Sequence, residues 1–226
     1  MTRVVEPGNA VAFWDRRYAD ALVYGTEPTS VARQLVVVFR AHGVRSILEA
    51  GCGSGRDALL YAREGFEVTG IEISENALRW ARERARAGGL QMALFRDDLA
   101  ETRMQPAAFD AAVAIHLVHL QPAPVRRTMV NQLWRLTRDG GLVAMANYST
   151  REAGFTSWDV YPEPNTRVDP KGKIVHFFDE ADLRALLPPD RFDLLTLEEV
   201  ELAEVPDSGP VTHREWLAIA RKIRPC

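Results

Sequence analysis

Apolar residues in the first two thirds of the chain follow two different spacings. Short, nearly continuous apolar runs predict buried strands at 46–50, 67–72, 92–96, 109–115 and 142–146. Apolar residues spaced three or four positions apart predict helices at about 30–41, 56–64, 74–88 and 123–137. Strands that alternate with helices are typical of a mostly parallel sheet with helices on both faces. The pattern therefore predicts an α/β fold.

The pattern changes after the fifth strand. Residues 148–177 are rich in aromatic residues and proline and have no clear period. A connection of this length is usually a lid, a binding loop or a disordered segment, and its aromatic content argues against disorder. Asp179 is predicted to begin a further helix, and strands at 194–202 and 216–220 follow with only a loop, 204–212, between them. Two such strands predict an antiparallel hairpin at the edge of the sheet.

The amino-terminal segment is also rich in aromatic residues. We expect residues 1–12 to form a loose arm and residues 13–19 to be helical. Trp14, Tyr18 and Tyr24 have two interpretations: they pack into the core, or they fold over a ligand held further along the chain.

Composition and charge exclude several classes of function. The 226 residues include 28 Lys and Arg against 31 Asp and Glu, so we expect no nucleic-acid partner. No apolar run approaches the roughly 20 residues that span a bilayer, and we expect neither a membrane partner nor a secretion signal. Cys52 and Cys226 are not expected to form a disulfide, which favours reduced thiols and a cytoplasmic location. No metal-ligand spacing is present, and the oligomeric state is not readable.

A glycine-rich turn follows the first strand, in the run Gly51-Cys52-Gly53-Ser54-Gly55. Glycine removes Cβ atoms where a ligand must lie against backbone, and the next helix directs its free N–H groups at that ligand. Glu72 ends the second strand, where a carboxylate can accept hydrogen bonds from both hydroxyls of a ribose. The dinucleotide pattern Gly-x-Gly-x-x-Gly is not matched, because residue 56 is Arg. These features predict a cofactor that contains adenosine.

Five segments stand in the order and spacing of a known family, and they are Glu49–Gly55, Gly70–Ser74, Arg96–Leu99, Phe109–Val113 and Leu136–Leu142. Over about residues 30–222 the chain resembles the class I S-adenosylmethionine-dependent methyltransferases. The resemblance implies a Rossmann-like, seven-stranded sheet in the order 3-2-1-4-5-7-6. It also implies S-adenosylmethionine as the cofactor and S-adenosylhomocysteine as the product.

The resemblance further implies one methyltransferase domain over residues 1–226. Its expected parts are an amino-terminal cap (1–29), a cofactor-binding core (30–147), a substrate loop or lid (148–177), and a final helix with the antiparallel strand pair (178–226). We expect residues 13–28 and 148–177 to order over bound cofactor and substrate.

Roles for single residues follow from the same resemblance. The turn at 51–55 would lie under the methionine part of the cofactor, Glu72 would hold the ribose, and Ile73 would lie against the adenine. Asp98 would accept from the adenine amino group, with Asp97 as a rival for that role. The full set of predicted cofactor contacts is Trp14, Tyr18, Glu49, Gly51, Cys52, Gly53, Gly55, Glu72, Ile73, Asp97, Asp98, Leu99 (through its backbone N–H), Ile115 and His116.

The acceptor is predicted less sharply than the cofactor. The segments Phe13–Tyr18 and Tyr24–Pro28 are similar to tellurite-resistance methyltransferases, and Gly70–Ser74 is also similar to thiopurine methyltransferases. Both groups methylate small, soft sulfur, selenium or tellurium nucleophiles. We therefore predict a small-molecule methyltransferase of detoxification type, with an oxygen or nitrogen of a metabolite as the alternative acceptor. An NAD-dependent oxidoreductase and a non-catalytic cofactor-binding protein are the rival classes.

Two histidines beyond strand four are the candidate catalytic residues. An alcohol or amine acceptor needs a base, which His116 or His119 could supply, whereas a soft anion needs none. The alternative is that His116 bonds to backbone and that His119 packs against Trp134 or the sheet. The predicted substrate contacts are Tyr24, Tyr148, Arg151 and Trp158.

Overall fold

The computed structural model describes residues 10–204 and 211–224. Its helices are α1 (Ala10–Arg17), α2 (Ser30–Ala41), α3 (Arg56–Arg63), α4 (Glu75–Ala87), α5 (Ala123–Leu136), α6 (Gly154–Ser157) and α7 (Glu180–Leu186). Its strands are β1 (Ser46–Ala50), β2 (Glu67–Glu72), β3 (Ala93–Arg96), β4 (Phe109–Ile115), β5 (Thr137–Tyr148), β6 (Asp159–Val160), β7 (Thr166–Val168), β8 (Ile174–His176), β9 (Phe192–Glu204) and β10 (Val211–Lys222).

Seven of the strands form one sheet in the order β3-β2-β1-β4-β5-β10-β9. Strands β1 to β5 are parallel, and β10 lies antiparallel between β5 and β9. The predicted fold is confirmed, with β9 and β10 in the places of the sixth and seventh strands. Because the parallel strands all end at one edge, the residues that follow them meet in one crevice.

Each face of the sheet packs against its own group of helices. On one face Phe39 of α2 and Tyr61 of α3 are fully buried with their rings 6.1 Å apart. On the other face Leu133 and Leu136 of α5 are fully buried. Burying each such side chain contributes about 1.5–3 kcal/mol, so the sheet edge that carries the crevice is held rigidly from both sides. None of the described helices combines the length and the apolar character needed to cross a membrane.

Several boundaries differ from the prediction. Strand β5 begins at Thr137 rather than at residue 142, because α5 ends at Leu136 and the strand starts directly after it. Gly140, with φ 74° in the left-handed region, lies where the register of β5 against β4 shifts. Helix α1 begins at Ala10, before the predicted start at residue 13. The rest of the predicted arm (1–9), residues 205–210 of the hairpin loop, and Cys226 lie outside the described residues.

The predicted loop at 148–177 contains regular structure that its sequence pattern does not reveal. Helix α6 is followed by a three-stranded antiparallel sheet in the order β6-β7-β8. Strands of two or three residues are too short to show a period. The segment also closes on itself, because the Phe178 N–H donates to the Tyr148 carbonyl (2.8 Å) and the Thr150 N–H to the Phe178 carbonyl (3.0 Å). We call residues 150–177 the insertion.

Candidate functional site

A cavity of about 600 Å³ lies at the carboxyl edge of the sheet. One part, which we call the glycine-turn end, is lined by Gly51, Gly53, Glu72, Asp97 and Asp98. The other part, which we call the histidine end, is lined by His116, His119, Tyr148, Lys173 and His213. The cavity thus joins the ends of β1 to β5 with the insertion and β10.

The glycine turn is shaped so that backbone forms the wall of the cavity. Gly51 has φ 70°, and a Cβ there would lie 2.9 Å from Leu117 Cδ1. Gly53 has φ 54°, and a Cβ there would lie 2.8 Å from the Tyr18 hydroxyl. The positive φ values favour glycine, and a Cβ at either position would force the facing side chain to move. A ligand can therefore approach the main chain directly at these two positions.

Glu72 is held in a fixed orientation before any ligand binds. Its Oε2 accepts from the Gly53 N–H (3.1 Å), and its Oε1 accepts from the Ser74 N–H (2.9 Å). Burial raises the pKa of Glu72, although these N–H groups act in the opposite direction. Each oxygen keeps a second lone pair, so the carboxylate can still accept a bond from each of two neighbouring hydroxyls.

The two aspartates after β3 differ in their partners. Asp97 uses both oxygens, since Oδ1 accepts from the Asp98 N–H (2.9 Å) and Oδ2 from the Thr102 hydroxyl. Asp98 Oδ1 accepts from the Ala100 N–H (2.8 Å). Both side chains line the cavity, but only Asp98 has an oxygen without a hydrogen-bond partner among the described residues.

Two further residues near the turn are buried. Burial and the nearby Asp57 raise the pKa of Glu49 well above its usual value. Burial, with Glu49 and Glu72 close by, raises the pKa of the Cys52 thiol well above its usual value, so the thiol is protonated at neutral pH. Cys52 is therefore a small packing group rather than a nucleophile.

The amino-terminal aromatic residues form a wall of the cavity. The rings of Trp14, Tyr18 and Tyr24 lie 6.2–6.4 Å from one another, and all three residues line the cavity. Helix α1 is attached to α4, because the Trp80 indole N–H donates to the Tyr18 carbonyl (2.9 Å). Arg56 also donates to the Tyr24 carbonyl (3.1 Å). The three aromatic residues therefore pack against one another, as the first interpretation expected, and also line the cavity, as the second expected.

The histidine end is organised around the ring of Tyr148. His119 stacks on it at 4.8 Å, and the rings of His116 and His213 lie at 5.3 Å and 5.2 Å. Burial and the neighbouring positive groups, His116 first, lower the pKa of His119 well below its usual value. His119 is therefore a neutral imidazole near pH 7, which can exchange hydrogen bonds but carries no charge.

His116 has a partner that the sequence does not suggest. Its Nε2 lies 2.7 Å from Oε1 of Glu215, which is 1% exposed on β10. The backbone N–H of His116 donates to the Ala146 carbonyl (3.0 Å), so His116 does bond to backbone, which was the alternative to a catalytic role. Its side chain, however, contacts Glu215. His213 and Glu215 stand two positions apart on one strand, which puts them on the same face, and this spacing is the one available signal.

Three predicted site residues do not line the cavity. A Cβ on Gly55 would lie 3.1 Å from the Ala81 Cβ, so this glycine allows α4 to pack closely. Arg151 is largely exposed and pairs with Glu199 on β9. Trp158 packs against Phe177 at 5.6 Å inside the insertion. The remaining predicted residues line the cavity. Other lining residues were not predicted from the sequence, among them Arg56, Leu117, Val125, Met129 and Lys173.

Comparisons with known proteins agree with this geometry. Residues 47–141 match the family model described as a methyltransferase domain. The ubiquinone biosynthesis O-methyltransferase of Xylella fastidiosa is 31% identical over 160 residues, which are 68% of this chain and 62% of that protein. The chain spans 45% to 72% of the length of such ubiquinone-biosynthesis relatives.

Solved structures show the same fold. The 1,6-didemethyltoxoflavin-N1-methyltransferase of Burkholderia thailandensis, with its acceptor and S-adenosylhomocysteine bound, has a TM-score of 0.70 at 19% identity and covers 99% of this chain and 93% of its own. TehB of Haemophilus influenzae has a TM-score of 0.63 at 18% identity and covers 84% of this chain and 62% of its own.

The cavity fits the cofactor that such enzymes use. Its wall exposes backbone at Gly51 and Gly53, where a side chain would collide with Leu117 or Tyr18. A fixed carboxylate at Glu72 and an available oxygen of Asp98 provide acceptors for hydroxyl and amino groups. The fold, the matching domain model over residues 47–141 and the relatives are those of class I S-adenosylmethionine-dependent methyltransferases, and they support a methyltransferase that uses S-adenosylmethionine as cofactor.

Proposed function

We propose that this protein transfers a methyl group from S-adenosylmethionine to a small-molecule acceptor that binds at the histidine end. One observation carries the proposal: a single cavity joins the glycine-turn end to a second, aromatic compartment with its own polar groups. When bound, the cofactor supplies an activated methyl group and leaves as S-adenosylhomocysteine. The chain's own task is to bind both molecules in line and to exclude water.

At the glycine-turn end, the residues support a specific arrangement of the cofactor. Glu72 would accept bonds from the ribose hydroxyls, and the backbone of 51–53 would lie under the methionine part. Ile73 would pack on the adenine, whose amino group would donate to Asp98. We prefer Asp98 to Asp97 because one oxygen of Asp98 has no hydrogen-bond partner among the described residues, whereas each oxygen of Asp97 keeps only one lone pair for a ligand.

The aromatic wall would contact the reacting group. Trp14, Tyr18 and Tyr24 line the cavity, and a ring face turned to a positive charge such as a sulfonium would attract it by about 0.5–2 kcal/mol. The same wall would keep water away from the methyl group. These residues would thus serve both cofactor binding and exclusion of solvent.

The compartment at the histidine end would receive the acceptor. Tyr148 and His119 offer flat surfaces suited to a small ring, and Lys173, 3.3 Å from Asp169 and 5.9 Å from the Trp14 ring, brings a cation to the boundary. The sequence relatives include an enzyme named for methyl transfer to oxygen, and the structural neighbours include one named for transfer to nitrogen together with TehB, a protein of the tellurite-resistance group that the first prediction named. The relatives leave the acceptor atom open.

Thermal-shift and turnover measurements test the proposal. We expect S-adenosylmethionine and S-adenosylhomocysteine to raise the melting temperature while NADH does not. We then expect S-adenosylhomocysteine to form with at least one acceptor in a panel of thiols, selenite, tellurite, phenols and small amines. Stabilisation by NADH alone would favour an oxidoreductase. Cofactor binding without turnover across the whole panel would favour a non-catalytic binding protein.

A further inference from the structure

The contact between His116 and Glu215 is a built feature of the histidine end. Nε2 of the imidazole lies 2.7 Å from Oε1 of the carboxylate. The Glu215 side chain is 1% exposed, whereas the His116 side chain is 20% exposed and lines the cavity. The buried acid thus stands behind a histidine that reaches the space where an acceptor would bind.

The backbone of His116 is held in an uncommon conformation. Its φ of 54° lies in the left-handed region, which residues other than glycine rarely adopt. The bond from its N–H to the Ala146 carbonyl (3.0 Å) fixes this conformation at the end of β4. Backbone strain of this kind costs about 1–3 kcal/mol and persists where the surroundings impose it, often in active sites. Here it directs the ring toward β10.

Glu215 is placed by the antiparallel edge of the sheet. In the ladder between β5 and β10 it lies opposite Tyr148, whose ring contacts His116. Burial alone would raise the pKa of Glu215, but His116 beside it, with His213 nearby, outweighs that effect and lowers the pKa. A second acid near Glu215 is Glu152, which accepts a hydrogen bond from the Arg214 N–H (2.7 Å). Glu215 is therefore ionised and available as an acceptor.

An ionised carboxylate beside Nε2 selects one form of the neutral imidazole. The carboxylate can only accept a hydrogen bond, so it favours the form in which Nε2 carries the proton. The lone pair then lies on Nδ1. A histidine fixed in this way by a buried acid has the properties of a general base rather than of a packing residue.

We infer that Glu215 is a positioning residue that orients His116 so that Nδ1 accepts the proton of a hydroxyl acceptor, most naturally a phenol. The inference rests on the proposed function and narrows its acceptor class. In the step, the bond between methyl carbon and sulfur breaks and its electron pair stays on sulfur. The acceptor oxygen forms the new bond to the methyl carbon, and its proton moves to Nδ1 of His116. A thiolate, which is already ionised, would gain nothing from this arrangement.

Turnover of two acceptors tests the inference. The Glu215→Gln variant keeps the shape of the side chain but removes its charge. With catechol as the hydroxyl acceptor we expect kcat to fall about 10- to 100-fold and KM to change less than threefold. With thiophenol, which is ionised at neutral pH, we expect kcat to change less than threefold. Glu215→Asp should recover part of the lost rate with catechol.

A spectroscopic measurement without turnover gives a second readout. Long-range proton–nitrogen NMR of the imidazoles distinguishes the two neutral forms, and the signals of His116 are identified by their loss in His116→Asn. We expect Nε2 of His116 to carry the proton in the unaltered protein. In Glu215→Met, which offers no strong acceptor, we expect this preference to disappear.

The control variant is taken from the strand pair β9–β10, which also carries Glu215. Glu201→Gln makes the identical change at an exposed acid paired with Arg214 (2.7 Å), and both rates should stay within twofold. Equal loss with both acceptors in Glu215→Gln, protonation at Nδ1 in the unaltered protein, or turnover of thiols but no phenols would each overturn the inference. No turnover with any acceptor would overturn the proposed function as well.

Discussion

At the glycine-turn end of the cavity, every lining acid or glycine discussed above comes from residues 49–98. Each stands at a strand end or in the turn that follows it. At the histidine end, the lining residues come from the end of β4, the end of β5, the insertion and the edge strand β10. One end is therefore built from consecutive βα units, and the other is assembled from segments far apart in the chain.

The two ends also differ in their chemistry. Residues 46–115 contain no histidine, whereas four of the chain's five histidines, His116, His119, His176 and His213, lie at the histidine end or in the insertion. Backbone groups and carboxylates can hold a cofactor of constant structure. Imidazole rings, which can both donate and accept a proton, suit proton transfer from an acceptor. The comparison suggests that binding and acceptor chemistry are physically separate functions of the two ends.

The largest effect that would test this separation is expected at Glu72. Replacing it with Ala removes both acceptors for the ribose hydroxyls, so we expect S-adenosylhomocysteine to bind at least tenfold more weakly, which is about 1.4 kcal/mol. Isothermal titration calorimetry measures the change. Glu67→Ala, at the exposed start of the same strand, is the matched control and should bind normally. Unchanged affinity in Glu72→Ala would show that the ribose assignment is wrong.

An effect of intermediate size is expected on the free energy of unfolding in mild acid, through His176 in the insertion. Burial and Arg126 lower the pKa of His176 to about 4, against the opposing influence of Asp182 and Glu163. In the unfolded chain its pKa is roughly 6.5, so the unfolded state binds the proton first as the pH falls. The stability contributed by neutral His176 is present above about pH 6.5 and is lost progressively toward pH 4.

Urea unfolding at pH 7 and pH 5 measures this loss. We expect His176 to account for a decrease on the order of 1–2 kcal/mol between the two values. Buried His119 acts in the same direction, so the comparison is with His176→Asn, which should lose less stability over the same interval. His42→Asn, at an exposed position, is the control. Identical losses in His176→Asn and the unaltered protein would contradict the prediction.

The smallest effect is expected at Arg151, which the sequence analysis placed in the acceptor site. Its side chain is 66% exposed and pairs with Glu199, and exposed pairs contribute about 0–1 kcal/mol. We expect Arg151→Ala to change the melting temperature by only a few degrees and KM for the acceptor less than twofold. Lys173→Ala, which removes a cation that lines the cavity, should raise KM more. The reverse order would mean that the acceptor binds outside the histidine end.

The glycine-turn end could be predicted because its information is local. The turn at 51–55 and Glu72 each follow a strand that its apolar run identifies, and parallel strands bring their ends to one edge. The strand order and the cofactor, implied by the family resemblance, are confirmed. The sequence did not decide between Asp97 and Asp98, because that choice depends on hydrogen bonds such as the one from Thr102.

The histidine end could be predicted only in part. His116, His119 and Tyr148 follow strands and were identified, but Glu215 reaches His116 only through the register of β10 against β5. Such a pairing joins residues far apart in sequence and has no marker in the chain. Trp158 illustrates the same difficulty, because an aromatic residue in an unpatterned segment can face a cavity or, as here, pack inside the segment.

The closure of the insertion at Tyr148 and Phe178 has a consequence for how such an enzyme could diversify. Its two ends meet through backbone bonds and a bridge between Ser149 and Phe178, so the segment leaves and rejoins the sheet at almost one point. Lengthening a loop between fixed, adjacent ends costs little, about 0.6 kcal/mol for each doubling. The insertion could therefore be replaced by a segment of different length without disturbing the sheet. Such a replacement would change the shape of the acceptor compartment, while Glu72, His116 and Glu215 would keep their positions at the sheet.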